Sequence, residues 1–395
     1  MLIFIIMLKN TSYRKRRLKK LALLITGLLL VTAFAEVILR VFLPQTTYQS
    51  LVFAYDFPCY QKGDFYPLAL KKNSDCILHS NNSSFHDVVI TTNQYGFRNR
   101  EIQIPKPAGT YRILVIGDSY AAGWGVEEYE AYPKVLEKIL RERYPDKNIE
   151  VINSGLPTAG PSYYYLMYKN LGRLFKPDLV IVGFYLVNDI SDNVYTSEWI
   201  KTDADGLPLE VAHQSVPMDF TGNYVPIGTP IQYRIPVLRN LHFFILITNA
   251  LDNIRSPMLS KTLEPRLCFY KKSCHDLDEA KEKAKKLLLG LKKLILADGA
   301  EMMIAVTPAE FHFDPKSRIK YGILVRLLPE DKEYPYQEFS QFFRENKFDW
   351  LDLRQAFTQA SGSFYFETDN HWNELGHQVA ARAIAEKSAQ FLDEK

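Results

Sequence analysis

Residues Tyr111–Gly125 read YRILVIGDSYAAGWG, an apolar run that passes into an Asp-Ser pair and then into glycines. Ile113, Leu114, Val115 and Ile116 are four apolar residues in succession, which suits a parallel strand covered on both faces better than a half-exposed strand of alternating polarity. Gly117 ends the run. A turn there places Ser119 at the carboxyl edge of the sheet, beside the first turn of the next helix, where unpaired backbone N–H groups point outward and ligands bind in open α/β sheets. A hydroxyl in that position is a candidate nucleophile.

Downstream the same kind of apolar run recurs at 149–153 (IEVIN), 178–185 (DLVIVGFY), 301–306 (EMMIAV) and 349–352 (DWLD). Helical patterns lie between and after them, around 131–143, 162–175, 276–298, 336–345 and 373–393. Leu277, Ala280, Ala284, Leu287, Leu288, Leu291, Leu294 and Ile295 form the apolar stripe of the longest, with lysines on its other face. Strands alternating with helices imply an α/β sandwich, here with a five-stranded parallel sheet, running from residue 106 to residue 395. Residues 190–275 break the alternation and are too long for a connecting loop, so they read as an insertion. Within it Leu241–Leu251 (LHFFILITNAL) is strongly apolar but too short to cross a bilayer. A buried helix is expected there, with a membrane-facing or lid helix as the alternative.

Upstream, residues 44–105 are mixed, with a polar loop HSNNSSFHD, a turn NQYGFRNRE and a Pro-rich joint at 104–107. They read as a stalk or N-terminal extension. Before them, Leu21–Leu43 is an apolar run of roughly 35 Å at about 1.5 Å per residue, enough to cross a hydrocarbon core of about 30 Å. Lys9, Arg14, Lys15, Arg16, Arg17, Lys19 and Lys20 precede it with no acidic residue among them. The expected arrangement is a cytoplasmic head (1–20), a membrane anchor (21–43) and everything else outside the cytoplasm. Glu36 and Arg40 interrupt the apolar run; as an i,i+4 pair with Arg40 reaching the outer interface they remain compatible with a span. Ala33-Phe34-Ala35 resembles a signal-peptidase site, so secretion after cleavage near Ala35 is the alternative.

The formal charge of +3 is a property of that head, because setting those 7 residues aside leaves 41 basic against 45 acidic residues. A nucleic-acid partner is therefore not expected. A hydrophobic content of 47% over 395 residues supplies a sizeable core and excludes a disordered chain. All four cysteines follow the anchor, as the close pairs Cys59 with Cys76 and Cys268 with Cys274. Disulfides are expected in that compartment, although four cysteines allow three pairings.

A serine hydroxyl becomes a nucleophile only when a base takes its proton and a third group orients the base. His371, in FETDNHWNELGH, follows Asp369 by two positions and precedes the last helical pattern. On an extended segment the two side chains would point the same way, so Asp369 could hold the imidazole from behind. Asp369 and Asn373 would equally suit helix capping. Acyl transfer further needs donors for the developing oxyanion. Gly155 follows the second strand of the sandwich and Asn188 the third, at the sheet edge that carries Ser119, although each also fits an ordinary turn. There is no HExxH segment and no close His/Asp cluster beyond Asp369 and His371, so neither metal nor cofactor is expected.

Gly117-Asp118-Ser119, Gly155, Asn188, and Asp369 with His371 resemble, in order, the four blocks of the SGNH (GDSL-like) hydrolase family, over roughly residues 93–393. NQYGFR is similar to the lead-in of its membrane-anchored bacterial members. The resemblance implies a flavodoxin-like three-layer fold, Ser119 as nucleophile, His371 as base and Asp369 as its orienter. It also implies an oxyanion hole of the Ser119 and Gly155 amides and the Asn188 side chain. Two spacings depart from the commonest pattern. Thr368 stands three before the histidine, where many members have the aspartate, and Asn188 lies five residues after Gly183 instead of two. The activity so implied is an extracytoplasmic serine esterase or deacylase, removing O-acetyl groups from a cell-envelope carbohydrate or acting on another ester. An O-acyltransferase with the same site is one alternative. A catalytically idle glycan-binding or assembly protein is another, with Tyr195, Trp199, Phe220, Tyr224 and Tyr233 as stacking surfaces for sugars.

Overall fold

The structure is a computed structural model that describes residues 2–43, 45, 59–79, 85–190, 200–211, 238–255, 275–313, 333–367 and 369–393. The chain divides into two compact units. One comprises Met1–Leu51 and Thr229–Pro257, and the other Val52–Gly228 and Met258–Lys395.

The larger unit is built on a parallel sheet of β5 (Thr110–Ile116), β6 (Asn148–Asn153), β7 (Leu179–Tyr185), β10 (Glu301–Thr307) and β11 (Asp349–Asp352). Their spatial order is β11-β10-β7-β5-β6. Numbered within the sheet this is 2-1-3-4-5, the flavodoxin-like order, whose topological switch lies between the first and third strands. β5 and β7 flank that switch. Alternation of side chains along each strand divides the core in two. Leu114, Ile116, Ile152, Val180 and Val182 face the helices Pro161–Asn170, His275–Ala297 and Tyr334–Glu345. Ile113, Val115, Val151, Leu179 and Ile181 face Tyr132–Arg143 and Glu374–Asp393. Three layers result, and β5 and β7 are buried at every position.

At the amino end of the sheet a buried ion pair joins β5 to β6. Arg112, fully buried, lies opposite Glu150 in the ladder and donates to it at 2.7 Å, and its remaining donors reach the carbonyls of Phe175 and Gln103. A buried guanidinium so completely partnered avoids the cost of an uncompensated charge.

The described residues between 59 and 105, expected as a stalk or N-terminal extension, pack into the larger unit. They form two antiparallel hairpins, β1 (Tyr60–Lys62) with β2 (Leu68–Leu70) and β3 (Asp75–Leu78) with β4 (Val88–Thr91). A Cys59–Cys76 disulfide cross-links them. Cys59, Tyr66, Leu68, Leu78, Val88 and Phe97 belong to the same apolar core as β5 and β7. The unit thus begins well before residue 106. In the insertion, β8 (Ile200–Thr202) and β9 (Pro208–Val211) make a third small hairpin. Cys268, Cys274, Tyr195, Trp199, Phe220, Tyr224 and Tyr233 lie outside the described residues.

The smaller unit holds the helix Leu2–Phe42, of which Arg17–Phe42 is long and apolar enough to cross a membrane, and the helix His242–Arg255. The pairing of Glu36 with Arg40 is present at 2.9 Å. The helix His242–Arg255 is not the buried core helix expected from its composition. Ile245 is fully buried, whereas Ile247 and Leu251 are exposed, and the helix packs beside Leu2–Phe42.

Candidate active site

Ser119 opens a single helical turn, Ser119–Ala122, directly after β5. Asp118 caps the turn, its Oδ1 accepting from the Tyr120 amide at 2.9 Å. Gly123 closes it at φ 77°, a left-handed conformation that glycine adopts without the Cβ clash of other residues. Asp118 Oδ2 is buried and makes no hydrogen bond among the described residues. Desolvation pushes this carboxyl up to about 7, against the opposing influence of the Tyr120 amide and of His371.

His371 reaches Ser119 from 252 residues away, with Nε2 2.8 Å from Oγ. Its Nδ1 lies 2.5 Å from Asp369 Oδ1, which also accepts from the His371 backbone N–H at 2.8 Å. Asp369 and His371 therefore meet across a bend in which the carboxylate fixes main chain and ring together, not along the extended segment expected. Glu367 is exposed on the same loop. The loop is closed by an isolated antiparallel bridge between Tyr365 and Trp372, with the Phe366 amide on the His371 carbonyl and the Asn373 amide on Phe364.

Gly155 follows β6 and abuts the turn that carries Ser119. A Cβ at this position would lie 2.3 Å from the Ala122 nitrogen and 2.6 Å from the Ala121 carbonyl carbon. Its amide donates to Asn153 Oδ1 at 3.0 Å, so it would have to share or exchange that bond to serve an oxyanion. Asn188 lies in the helical residues 186–190 after β7, beside fully buried Asp189. Asp189 Oδ2 accepts from the Tyr164 hydroxyl at 2.5 Å and from the Tyr185 amide at 2.9 Å, which pins the turn. Ser119, His371 and Asp369 are joined by hydrogen bonds, while Gly155 and Asn188 occupy the carboxyl ends of the neighbouring strands.

Four residues that the sequence reading passed over complete the surroundings. Tyr120 and Trp124 place their rings 5.2 Å and 5.5 Å from the His371 ring. Trp372, fully buried, packs against Tyr120. Arg98, 1% exposed, donates through Nη1 to the Gly123 carbonyl at 2.7 Å and the Ala122 carbonyl at 3.4 Å, and through Nη2 to Val89 at 3.3 Å. Burial lowers this guanidinium to about 10, and nearby Glu128, Glu127 and Glu130 offset the shift. Adjacency offered a signal for Tyr120 and Trp372, which directly follow the serine and the histidine. Arg98 ends the NQYGFR segment, whose position at the Ser119 turn only the fold reveals.

A family model described as the SGNH hydrolase-like domain of acetyltransferase AlgX matches residues 269–393. The matched part includes Asp369 and His371, and the parallel sheet brings Ser119 to them from outside it. No curated relative matches the chain. Among solved structures, a catalytic mutant of an acetylxylan esterase from Geobacillus stearothermophilus is similar at 12% identity over 70% of this chain and 93% of its own, with a TM-score of 0.36. A two-domain esterase active on acetylated mannans is similar at 10% identity over 71% of this chain and 49% of its own, with a TM-score of 0.38.

Proposed function

We propose that the protein is a serine esterase acting outside the cytoplasm on O-acetyl groups of a cell-envelope carbohydrate, with Ser119, His371 and Asp369 as its triad. The observation that carries this reading is the continuous hydrogen-bonded path from Ser119 Oγ through both nitrogens of His371 to Asp369. In that arrangement His371 Nε2 takes the hydroxyl proton as Oγ attacks the acyl carbon. Asp369 holds the imidazole and stabilises the imidazolium that forms. The carbonyl oxygen becomes an oxyanion at the edge where the Ser119 and Gly155 amides and the Asn188 side chain could donate to it. His371 then returns the proton to the departing alcohol, leaving an acetylated Ser119, and a water activated by the same nitrogen releases acetate.

A second reading is favoured by the description of the matching family as an acetyltransferase. If a sugar hydroxyl replaces water in the second half of the cycle, the same groups perform acetyl transfer. The test is acetate release from acetylated glycans by the full chain, with and without an unacetylated acceptor glycan. Release that is unaffected by the acceptor supports hydrolysis, and acetyl appearing on the acceptor supports transfer. Neither product, together with equal fluorophosphonate labelling of wild type and Ser119→Ala, would sink both.

A further inference from the structure

We propose that the helix His242–Arg255 is a lipid-contacting element, seated just inside the outer boundary of the bilayer by Glu36. The inference rests on the anchor reading of Arg17–Phe42 and extends it to a segment about 200 residues further along the chain. Glu36 Oε1 accepts from the His242 amide at 3.1 Å and Oε2 from the Phe243 amide at 2.8 Å. The carboxylate, already paired with Arg40, thereby caps the second helix, satisfying two of its unpaired N–H groups with a negative charge at its positive end. His242 Nδ1 accepts from the Gln45 amide at 2.8 Å, a second tie at the same level.

The depth of that cap follows from helix geometry. Counted from Leu21, where the apolar run begins, a hydrocarbon core of roughly 30 Å is crossed in about 20 residues at 1.5 Å per residue, which puts its outer boundary near Val41. Glu36 then lies about 7 Å inside that boundary, and so does the first turn of the capped helix. With 14 residues that helix is about 21 Å long, too short to cross. Phe243, Ile247 and Leu251 succeed one another at i, i+4 and i+8 on one face. Ile247 is 41% and Leu251 47% exposed, and Phe243 is half-buried. At the same level of the first helix Phe34, Val37 and Val41 are 60–69% exposed. A soluble partner on the second helix would leave those three side chains in water. Acyl chains cover both helices with one medium, at a cost of order 25 cal/mol avoided per Å² of apolar surface removed from water.

The test uses the full chain, with Cys268→Ser and Cys274→Ser, in vesicles of phosphatidylethanolamine and phosphatidylglycerol. A nitrobenzoxadiazole probe is placed on cysteine at position 247, 251 or 29 in separate variants. Shallow doxyl lipid should quench the probes at 247 and 251 at least about threefold more than aqueous iodide does. Stronger quenching by iodide, or shielding from both quenchers as under a protein partner or second copy, would overturn the proposal. The probe at Leu29 separates the two levels of the inference. Unquenched by deep doxyl lipid, it would overturn the anchor and the proposal together; quenched, it leaves the anchor standing whatever the outcome at 247 and 251. Glu36→Ala should lower lipid quenching at 247 about twofold or more while leaving position 29 unchanged. Equal quenching at 247 in that variant would overturn the seating role of Glu36.

Discussion

Tyr120 and Trp372 meet edge to face, with ring centroids 4.7 Å apart, and each is the residue immediately after a member of the Ser119–His371 pair. The Tyr120 hydroxyl also donates to the Asn370 carbonyl at 2.6 Å. The Ser119 turn and the His371 loop are thus joined at their next residues as well as through the Ser119–His371 hydrogen bond. Tyr120→Phe keeps the ring contact and removes the hydroxyl. We expect kcat to fall about tenfold, equivalent to about 1.4 kcal/mol, with KM nearly unchanged, because the loop loses a restraint and no substrate contact is involved. Steady-state kinetics on an acetyl ester decides it, and a change confined to KM would place Tyr120 against the substrate instead.

Asp369 and Glu367 differ in what they can orient. Asp369 Oδ1 engages both the amide and the ring of His371, whereas Glu367 is exposed. Asp369→Asn should lower kcat by roughly 10² to 10⁴, up to the loss of about 10⁴ that the same change causes in serine proteases, by removing the charge and permitting the wrong imidazole tautomer. Glu367→Gln should cost less than about tenfold. The reverse ranking in single-turnover kinetics would move the orienting role to Glu367.

Gly155→Ala drives a methyl group into backbone. The nearest atoms, Ala122 N and Ala121 C, belong to the turn that carries Ser119, so relief displaces Ser119 rather than a pliable side chain. A stability loss of about 1–3 kcal/mol is expected. Fluorophosphonate labelling of Ser119 should slow by at least about 10²-fold, since an ångström of misplacement is costly in an oriented site. Wild-type labelling rates in a folded variant would show that the turn adapts freely.

Burial of Asp118 makes stability pH-dependent in a definite direction. Its folded pKa is raised to about 7, while an unfolded aspartate titrates near 3.9. Between about pH 4 and pH 7 the native state holds a proton that the unfolded chain has released, so this group's contribution is full below about pH 4 and is lost as pH rises through about 7. Asp118→Asn retains an oxygen for the Tyr120 amide and cannot ionise. Calorimetric melting of both proteins should show the variant gaining on the wild type as pH rises from 4 to 7. A pH-independent offset between the two curves would refute the assignment.

The parallel strands were visible in sequence because burial on both faces demands uninterrupted apolar runs, as at Ile113–Ile116 and in β7. Ser119, Gly155, Asn188, Asp369 and His371 stood out as candidates because an acyl-transfer site calls for a hydroxyl, a base, its orienter and oxyanion donors. The hairpins of residues 60–91 escaped notice since strands of three and four residues leave too little pattern to read. The engagement of Gly155 by Asn153, the reach of Arg98 to Gly123 and the capping of His242 by Glu36 are all side-chain bonds to backbone. Such bonds depend on where the chain has already folded, and no local periodicity announces them. The helix His242–Arg255 was misplaced for a related reason: an apolar segment of that length packs equally well in a protein core or beside another apolar helix.

The span of 252 residues between the serine and its histidine also sets a schedule for the growing polypeptide. Ser119 and its turn emerge from the ribosome first, and His371 follows 252 residues later. A nascent or prematurely terminated chain holds the hydroxyl without its base. If His371 is the base, the hydroxyl stays unactivated until residue 371 has been made, and a chain stopped before Asp369 should resist fluorophosphonate labelling while keeping Ser119 in place.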